Sequence, residues 1–161
     1  MAKGVYVASP LGFTLAGRRM LDEVVIPGLS DRGYCILDPW DEGGRIFDGI
    51  LDEPVATRNQ DAVLERATRV GARNAEMIQQ CSAVLAILDG CDLDSGTCAE
   101  VGYAAALPRP VVGVRTDSLS VGDFPELPIN LQVKFFVEHS GGELVFSLNA
   151  AYAVLEDLLG V

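Results

Sequence analysis

The sequence predicts a single α/β domain in which helices cover both faces of a mainly parallel, five-stranded sheet. Several short runs are apolar throughout, without the alternation of a half-exposed strand, which is typical of strands buried on both faces. Segments with helical spacing separate these runs, as connections between parallel strands require. The length of 161 residues, 49% of them hydrophobic, suits one compact core, so residues 1–161 are assigned to one domain.

The first half of the chain contains two predicted strands. Residues 4–9 are β-branched and aromatic and predict the first strand. Apolar side chains at helical spacing predict a helix over 14–29, and Pro27 is expected to distort its last turn. Residues 34–38 form the second predicted strand. Residues 39–54, rich in glycine, proline and acidic residues, are expected to form a loop.

The second half repeats the alternation of helix and strand. A long helical pattern runs from about 55 to 80 and is expected to bend near Gly71. The remaining predicted elements, in chain order, are a buried strand over 83–88, a helix over 97–107, a fourth strand over 110–114, a fifth strand over 133–137 and a final helix over 147–159.

Composition excludes several classes of function. Asp and Glu number 23 against 12 Lys and Arg, and the net charge of -11 repels phosphate backbones, so no nucleic acid polymer is expected as a partner. The one histidine, His139, excludes a two-histidine zinc motif and is expected at the surface. No apolar run reaches membrane-spanning length, no signal peptide is visible, and the four cysteines form no Cys-x-x-Cys pair. These features predict a cytoplasmic protein with reduced thiols and no membrane association.

The binding site is expected beyond the carboxyl ends of the parallel strands, where open α/β sheets hold their ligands. Four segments there combine polar or acidic residues with glycine or proline: residues 9–13, 38–52, 89–100 and 115–130. Neither a Gly-x-Gly-x-x-Gly fingerprint nor a Walker phosphate loop follows the first strand. This argues against a binder of dinucleotides or nucleoside triphosphates.

Glu100 is the leading catalytic candidate. It is expected in the first turn of the helix over 97–107, among small apolar neighbours that suggest burial. A helix amino terminus would keep this carboxylate ionised, as a nucleophile requires. The alternative is a capping box, because Thr97-x-x-Glu100 fits the pattern in which the glutamate bonds only to the Thr97 backbone. The residue pattern leaves both interpretations open.

Other candidate residues also carry two interpretations each. Tyr6 is either a packed core residue or a phenol that bonds a carboxylate at the edge of the sheet. Asp94 is either a turn residue or a ligand of a substrate hydroxyl. Phe13 and Trp40 either stack on a flat ligand or pack beneath their loops.

Four segments of the chain resemble the nucleoside 2-deoxyribosyltransferase family. They are Tyr-Val-Ala-Ser-Pro-Leu-Gly-Phe at 6–13, Asn-Ala-Glu-Met-Ile at 74–78, Asp-Ser-Gly-Thr-Cys-Ala-Glu-Val-Gly-Tyr-Ala at 94–104 and Pro-Ile-Asn-Leu at 128–131. The third segment is the most specific. The resemblance implies a flavodoxin-like, doubly wound sandwich and transfer of 2-deoxyribose between nucleobases. The implied substrates are 2′-deoxynucleosides and free nucleobases, with no metal and no cofactor.

The resemblance also implies a role for each matching residue. Glu100 matches the nucleophile, Tyr6 the tyrosine that orients it, and Asp94 the ligand on the 5′-hydroxyl side of the sugar. Asn130 matches an asparagine supplied by a neighbouring subunit, which implies a homo-oligomer built from dimers, with a hexamer as one form and shared active sites. The substrate-binding set comprises Ser9, Phe13, Trp40, Asn74 and Asn130. Asn74 stands where some members carry an aspartate linked to proton handling, so protonation of the leaving base is unassigned.

The implied mechanism is a retaining double displacement through a covalent deoxyribosyl-glutamate. One alternative is an N-glycosidase in which water captures the same intermediate from a nucleoside or nucleotide. A nucleotide version would need basic or hydroxyl groups for the 5′-phosphate, and Arg18, Arg19 and Arg115 are the basic candidates. The other alternative is a non-catalytic binding module, which would tolerate Glu100→Gln.

Overall fold

The predicted α/β class is confirmed by the computed structural model, which describes residues 3–160. Five strands form one sheet in the order β2-β1-β3-β4-β5, and every neighbouring pair is parallel. This is the flavodoxin-like order of a doubly wound sheet. The strands are β1 (Gly4–Ala8), β2 (Cys35–Leu37), β3 (Ala83–Ile87), β4 (Val111–Val114) and β5 (Leu144–Val145). The helices are α1 (Leu15–Met20), α2 (Ile26–Ser30), α3 (Pro39–Phe47), α4 (Gln60–Gln80), α5 (Ser95–Ala106), α6 (Leu131–His139) and α7 (Leu148–Leu159).

Strand β1, which lies beside the central strand β3, contributes side chains to both layers of the core. Its side chains alternate between faces, as in any strand. Val5 and Val7 join the cluster formed with α2 and α7, whereas Tyr6 and Ala8 join the cluster formed with α4, α5 and α6. All four side chains are fully buried. The alternation therefore directs Tyr6 toward α4 and α5.

The first helical segment is distorted near Pro27, as predicted. A π-helical turn, Leu21–Val25, separates α1 from α2, and Pro27 lies in the first turn of α2. Proline has no N–H to give the preceding turn, so regular α-helical bonding cannot continue through it.

The loop predicted over 39–54 is wrong in its first half, which is α3. The Asp38 side chain caps this helix by accepting a hydrogen bond from the Trp40 N–H at 2.9 Å. Pro39 occupies the first helical position, where its missing N–H costs nothing and its fixed φ favours the helix. These start signals outweigh the glycines that favoured a loop.

The long helix α4 differs from its prediction in its first residue and in the absence of a bend. It begins at Gln60 rather than near 55, because the Asn59 side chain caps it by accepting from the Ala62 N–H. It then runs unbroken to Gln80, so the bend predicted near Gly71 is wrong. A single glycine with helical dihedrals costs only about 1 kcal/mol and does not by itself kink a helix.

The strand predicted over 133–137 is also wrong, because these residues lie within α6. The Asn130 side chain caps this helix by accepting from the N–H groups of Gln132 and Val133. Val133 and Val137 are four residues apart and are buried on one face of the helix. The fifth strand is instead the two-residue β5, which pairs with β4.

Three further expectations concern the surface and the thiols. Cys81 is a buried free thiol, and Cys35 is a free thiol that is exposed on the edge strand β2. His139 is exposed, as predicted, and stacks on Phe135. Within residues 3–160, no helix has both the length and the apolar character needed to cross a membrane.

Candidate active site

A cavity of about 530 Å³ opens at the carboxyl ends of β1, β2 and β3. From β1 the chain moves to β2 on one side and then to β3 on the other, so the cavity lies where the strand order reverses. Its volume suits a small organic ligand. Its lining residues are Ser9, Phe13, Pro39, Trp40, Gly43, Gly44, Phe47, Leu51, Val70, Asn74, Asp94, Gly96, Thr97 and Glu100.

Glu100 is held by two side chains from different elements. The Tyr6 hydroxyl, at the middle of β1, donates to Glu100 Oε1 at 2.6 Å. The Asn74 amide on α4 donates to the same oxygen at 3.4 Å. Tyr6 therefore fits both interpretations given to it, since it is a fully buried core residue and the partner of a carboxylate. The other amide atom, Asn74 Oδ1, is buried without a hydrogen-bond partner among the described residues.

The capping-box interpretation of Glu100 is wrong. Asp94 is the N-cap of α5, and the helix begins at Ser95, two residues earlier than predicted. Glu100 consequently lies in the second turn, and no acidic residue occupies the first. Its carboxylate is not tied to the backbone of Thr97 but bonded to Tyr6 and Asn74.

The expectation that a helix terminus keeps Glu100 ionised is also wrong. Burial raises the pKa of Glu100 to about 7. The hydrogen bond from Tyr6 lowers this pKa and the negative charge of Asp94 raises it, but burial is the largest effect. At neutral pH the carboxyl group is thus poised between its two protonation states.

Asp94 is a helix cap and a cavity residue together. Its Oδ2 accepts from the Thr97 N–H at 2.7 Å and from the Thr97 hydroxyl at 2.9 Å. Both bonds use one oxygen, and within residues 3–160 Oδ1 has no protein donor, so it is available to a ligand. The interpretations as turn residue and as ligand are therefore compatible.

Trp40 and Phe13 form an aromatic wall of the cavity. The Trp40 indole N–H donates to the Ser9 carbonyl at 2.9 Å. Its ring lies so close to Gly12 that a Cβ there would be 2.0 Å from it, so this position requires glycine. Phe13 meets Trp40 edge to face, with ring centroids 4.6 Å apart, and its side chain is 71% exposed. Trp40 both packs beneath its loop and lines the cavity.

The lining carries negative but no positive charge. None of the lining residues in the described part of the chain is Lys, Arg or His. Arg115, a candidate for binding a 5′-phosphate, is fully buried, bonds the carbonyls of Leu88 and Leu119, and pairs with Asp117 at 2.8 Å. Arg18 pairs with Asp22 at 3.1 Å and lines a separate hollow. Arg18 and Arg115 are therefore engaged elsewhere, whereas the third candidate, Arg19, is exposed and does not line the cavity.

The structure gathers most of the predicted site residues, with one exception. Asn130 does not line the cavity of its own chain, because it caps α6 and donates to Asp123 at 3.1 Å. No group of three or more His, Cys, Asp or Glu side chains within residues 3–160 is placed to hold a metal ion. The residues gathered in or directly behind the cavity are Tyr6, Ser9, Phe13, Trp40, Asn74, Asp94 and Glu100.

Sequence reasoning missed the contribution of α3. Gly43, Gly44 and Phe47 lie on the same face of this helix as Trp40 and line the cavity with it. Their spacing from Trp40 of three, four and seven residues is a helical signal, but the glycines hid it. Leu51 and Val70 complete the apolar lining.

Comparison with known proteins identifies the family. The family profile for nucleoside 2-deoxyribosyltransferase matches residues 5–132. The chain belongs to this family. The nucleoside 2-deoxyribosyltransferase profile thus covers β1 through the start of α6 and includes every predicted site residue. No curated protein matches the chain.

Solved structures support the same fold. The chain is similar to the 2-desoxiribosyltransferase from Leishmania mexicana, with 24% identity and a TM-score of 0.65 over 96% of this chain and 97% of that one. It is similar to the 2-deoxyribosyltransferase from Bacillus psychrosaccharolyticus, with 20% identity and a TM-score of 0.64 over 91% and 88% of the two chains. It is also similar to the CMP N-glycosidase from Clostridium botulinum, with 12% identity and a TM-score of 0.56 over 99% and 100%.

Proposed function

We propose that the protein transfers 2-deoxyribose between nucleobases, with Glu100 as the nucleophile. The observation that carries this proposal is the bond from Tyr6 to the half-buried Glu100 carboxylate inside a cavity of ligand size. A nucleophilic carboxylate needs a fixed orientation and freedom from permanent ion pairing. Glu100 has the first from Tyr6 and Asn74, and no Lys, Arg or His side chain within residues 3–160 is paired with it.

The proposed reaction has two displacements. A Glu100 oxygen attacks C1′ of a 2′-deoxynucleoside, the C1′–N bond breaks, and the base leaves with the bonding electrons and gains a proton. Asn74 cannot give this proton because it is an amide, so we assign the proton to another carboxylate or to ordered water. A second base then attacks C1′ from the opposite face, loses its own N–H proton, and regenerates the carboxylate.

Polar and apolar lining residues indicate how the substrate lies. The polar side chains come from the end of β1, from α4 and from the start of α5, and they include Asp94 with its free Oδ1. We assign the sugar hydroxyls to this side, and we assign their binding to Asp94 and Ser9. The opposite side, formed by α3 and Phe13, offers aromatic surface for the flat face of a base.

The second candidate function is hydrolysis of the same N-glycosidic bond. It differs only in the acceptor, because water instead of a base would capture the covalent intermediate. The fold likeness to a CMP N-glycosidase favours considering it. The absence of a cation among the lining residues within 3–160 argues against a 5′-phosphorylated substrate. Nucleosides are therefore the proposed substrates of either reaction.

The decisive experiment is a base-exchange assay. Incubation with 2′-deoxyuridine and free adenine should yield deoxyadenosine, and a parallel reaction without adenine measures hydrolysis. Glu100→Ala should lower exchange by at least about 10³-fold while the circular dichroism spectrum stays unchanged. Near-normal exchange in Glu100→Ala would refute the assignment of Glu100 as the nucleophile. Tight nucleoside binding without turnover in the wild type would instead identify a binding module.

We further propose that the active protein is a homo-oligomer in which Asn130 completes the site of a neighbouring copy. Asn130 is the N-cap of α6, Leu131 and Phe135 lie one turn apart on this helix, and Phe124 lies in the loop before it; their exposed fractions are 44%, 51% and 58%. Exposed aromatic and aliphatic side chains grouped in this way are typical of an interface. We call these three residues the α6 face. A second copy seated on it would bring Asn130 near that copy's substrate.

A further inference from the structure

Helix α3 presents an unusual face to the cavity. Trp40, Gly43, Gly44 and Phe47 all line it, and their spacing places them on one side of the helix. The charged residues of α3 occupy the positions between them and pair with one another: Asp41, Glu42 and Arg45. Two bulky aromatic residues thus flank a stretch of bare backbone that faces the cavity.

Packing within the protein does not explain the two glycines. A Cβ on Gly44 would meet nothing within 4 Å, and a Cβ on Gly43 would meet only the Val70 side chain at 4.0 Å. Neither residue has a positive φ. Alanine would therefore fit both positions and favour the helix, because glycine is a poor helix former. A sequence that departs from local preference without a packing reason commonly does so for function.

We propose that Gly43 and Gly44 determine specificity by keeping the base side of the cavity deep enough for a bicyclic purine. This proposal rests on the proposed transfer of deoxyribose and names the base size that the site accepts. The α3 side of the cavity is apolar and aromatic, so it is the side that receives the base. A side chain on Gly43 or Gly44 would extend into the space that a second ring occupies. A single pyrimidine ring would lose less binding affinity, because it does not reach this space.

The test compares substitutions at two helical glycines. Gly44→Ala and Gly44→Leu add one or four carbons toward the cavity. Gly71→Ala and Gly71→Leu are matched controls, because Gly71 lies in α4, has open space around its Cβ position and does not line the cavity. Both Ala variants should raise the melting temperature by about 2 to 4 °C, since both remove a helical glycine.

Activity should separate the two positions. The ratio of kcat/KM for 2′-deoxyinosine to kcat/KM for 2′-deoxyuridine should fall about tenfold or more in Gly44→Leu, and less in Gly44→Ala. The same ratio should stay within about twofold of wild type in both Gly71 variants. A Gly44→Leu ratio equal to that of wild type would overturn the inference and leave the proposed transfer intact.

A binding measurement tests the size limit at Gly44 even if the protein turns over no nucleoside. Calorimetric titration of each variant with 2′-deoxyinosine and with 2′-deoxyuridine then replaces the kinetic ratio. Selective loss of 2′-deoxyinosine affinity in Gly44→Leu supports the size limit, and equal affinities overturn it. If Gly44→Leu fails to fold, the smaller Gly44→Ala variant carries the comparison. Failure of turnover in the wild type refutes only the proposed function.

Discussion

At the scale of single residues, the central feature is a carboxyl group placed where burial and reactivity oppose each other. Burial raises the pKa of Glu100 to about 7, so removing its proton requires a higher pH than for an exposed glutamate. The Tyr6 hydroxyl acts in the opposite direction by donating a hydrogen bond that favours the anion. Tyr6 itself remains protonated, because burial and the adjacent Glu100 raise its pKa.

This opposition predicts the pH dependence of catalysis. If Glu100 is the nucleophile, as proposed, it must be ionised to attack C1′, so kcat/KM should rise with pH and reach half its plateau near pH 7. Tyr6→Phe removes the bond that lowers the pKa of Glu100, so its midpoint should move to higher pH. Initial rates of base exchange from pH 5 to 9 measure both midpoints. A rate that falls across this range would mean that Glu100 acts as an acid.

At the scale of elements, the start of α5 joins stability to binding. Asp94 satisfies the Thr97 N–H with Oδ2 and also lines the cavity. The same loop is tied to the β4–α6 connection, because Gly90 N–H donates to Asp117 at 2.6 Å and Arg115 bonds the Gly90 carbonyl. The loop that carries the proposed sugar ligand is thereby fixed from two sides.

Two substitutions should separate the roles of Asp94. Asp94→Ala removes the cap and should lower the free energy of unfolding by about 1 kcal/mol. Asp94→Asn keeps a capping side chain, so its stability should stay within about 0.5 kcal/mol of wild type. Its exchange activity should nevertheless fall about tenfold, because a neutral acceptor binds a hydroxyl less strongly than a charged one. Urea unfolding and exchange rates provide the two readouts. Full activity in Asp94→Asn would show that Asp94 only caps the helix.

The same scale shows where prediction from sequence succeeds and fails. The buried strands β1, β3 and β4 were predicted within a residue or two, because continuous apolar runs identify them. Helix α6 was mistaken for a strand, since a five-residue run that is apolar except for Lys134 fits either structure, and the Asn130 cap is the signal that favours a helix. Helix α3 was missed because its two glycines serve the cavity rather than the helix. The proposed role of these glycines in the cavity therefore obscured the helical pattern of α3.

For the candidate site, the sequence indicated most of the residues that the structure gathers at the cavity but not their protonation state. The pairing of Tyr6 with Glu100 was predicted as an option and is observed at 2.6 Å. The protonation of Glu100 was not predictable, because it depends on how completely neighbouring elements exclude water. The role of Arg115 was equally hidden, since burial at a strand end cannot be distinguished from a phosphate site by residue type.

At the scale of the whole molecule, the strand order gathers residues distant in sequence. The connections after β1, β2 and β3 meet at one edge of the sheet, and α4 closes the cavity from the side. Asn130 lies outside this arrangement and next to the α6 face. The proposed assembly would make the complete site a property of two chains.

Mixing two impaired variants tests this assembly. Glu100→Ala lacks the nucleophile, and Asn130→Ser keeps a helix-capping side chain but loses the amide. If sites are shared, each should be strongly impaired alone. Their co-refolded mixture should recover about one quarter of wild-type activity per subunit, because half of randomly formed dimers are mixed and each contains one intact site. Light scattering should show an oligomer. No recovery in mixed oligomers would place Asn130 outside the partner's site.

The anchoring of Trp40 supplies a label-free view of the cavity. It is the one tryptophan in the sequence, so all indole emission from the protein originates in the wall formed with Phe13. The bond from its ring nitrogen to the Ser9 carbonyl holds the fluorophore at the edge of the space that a ligand fills. A nucleobase stacked there would quench its emission and exclude the water that relaxes its excited state. Arrival and departure of each base can thus be timed optically, turnover by turnover, with the protein as its own sensor.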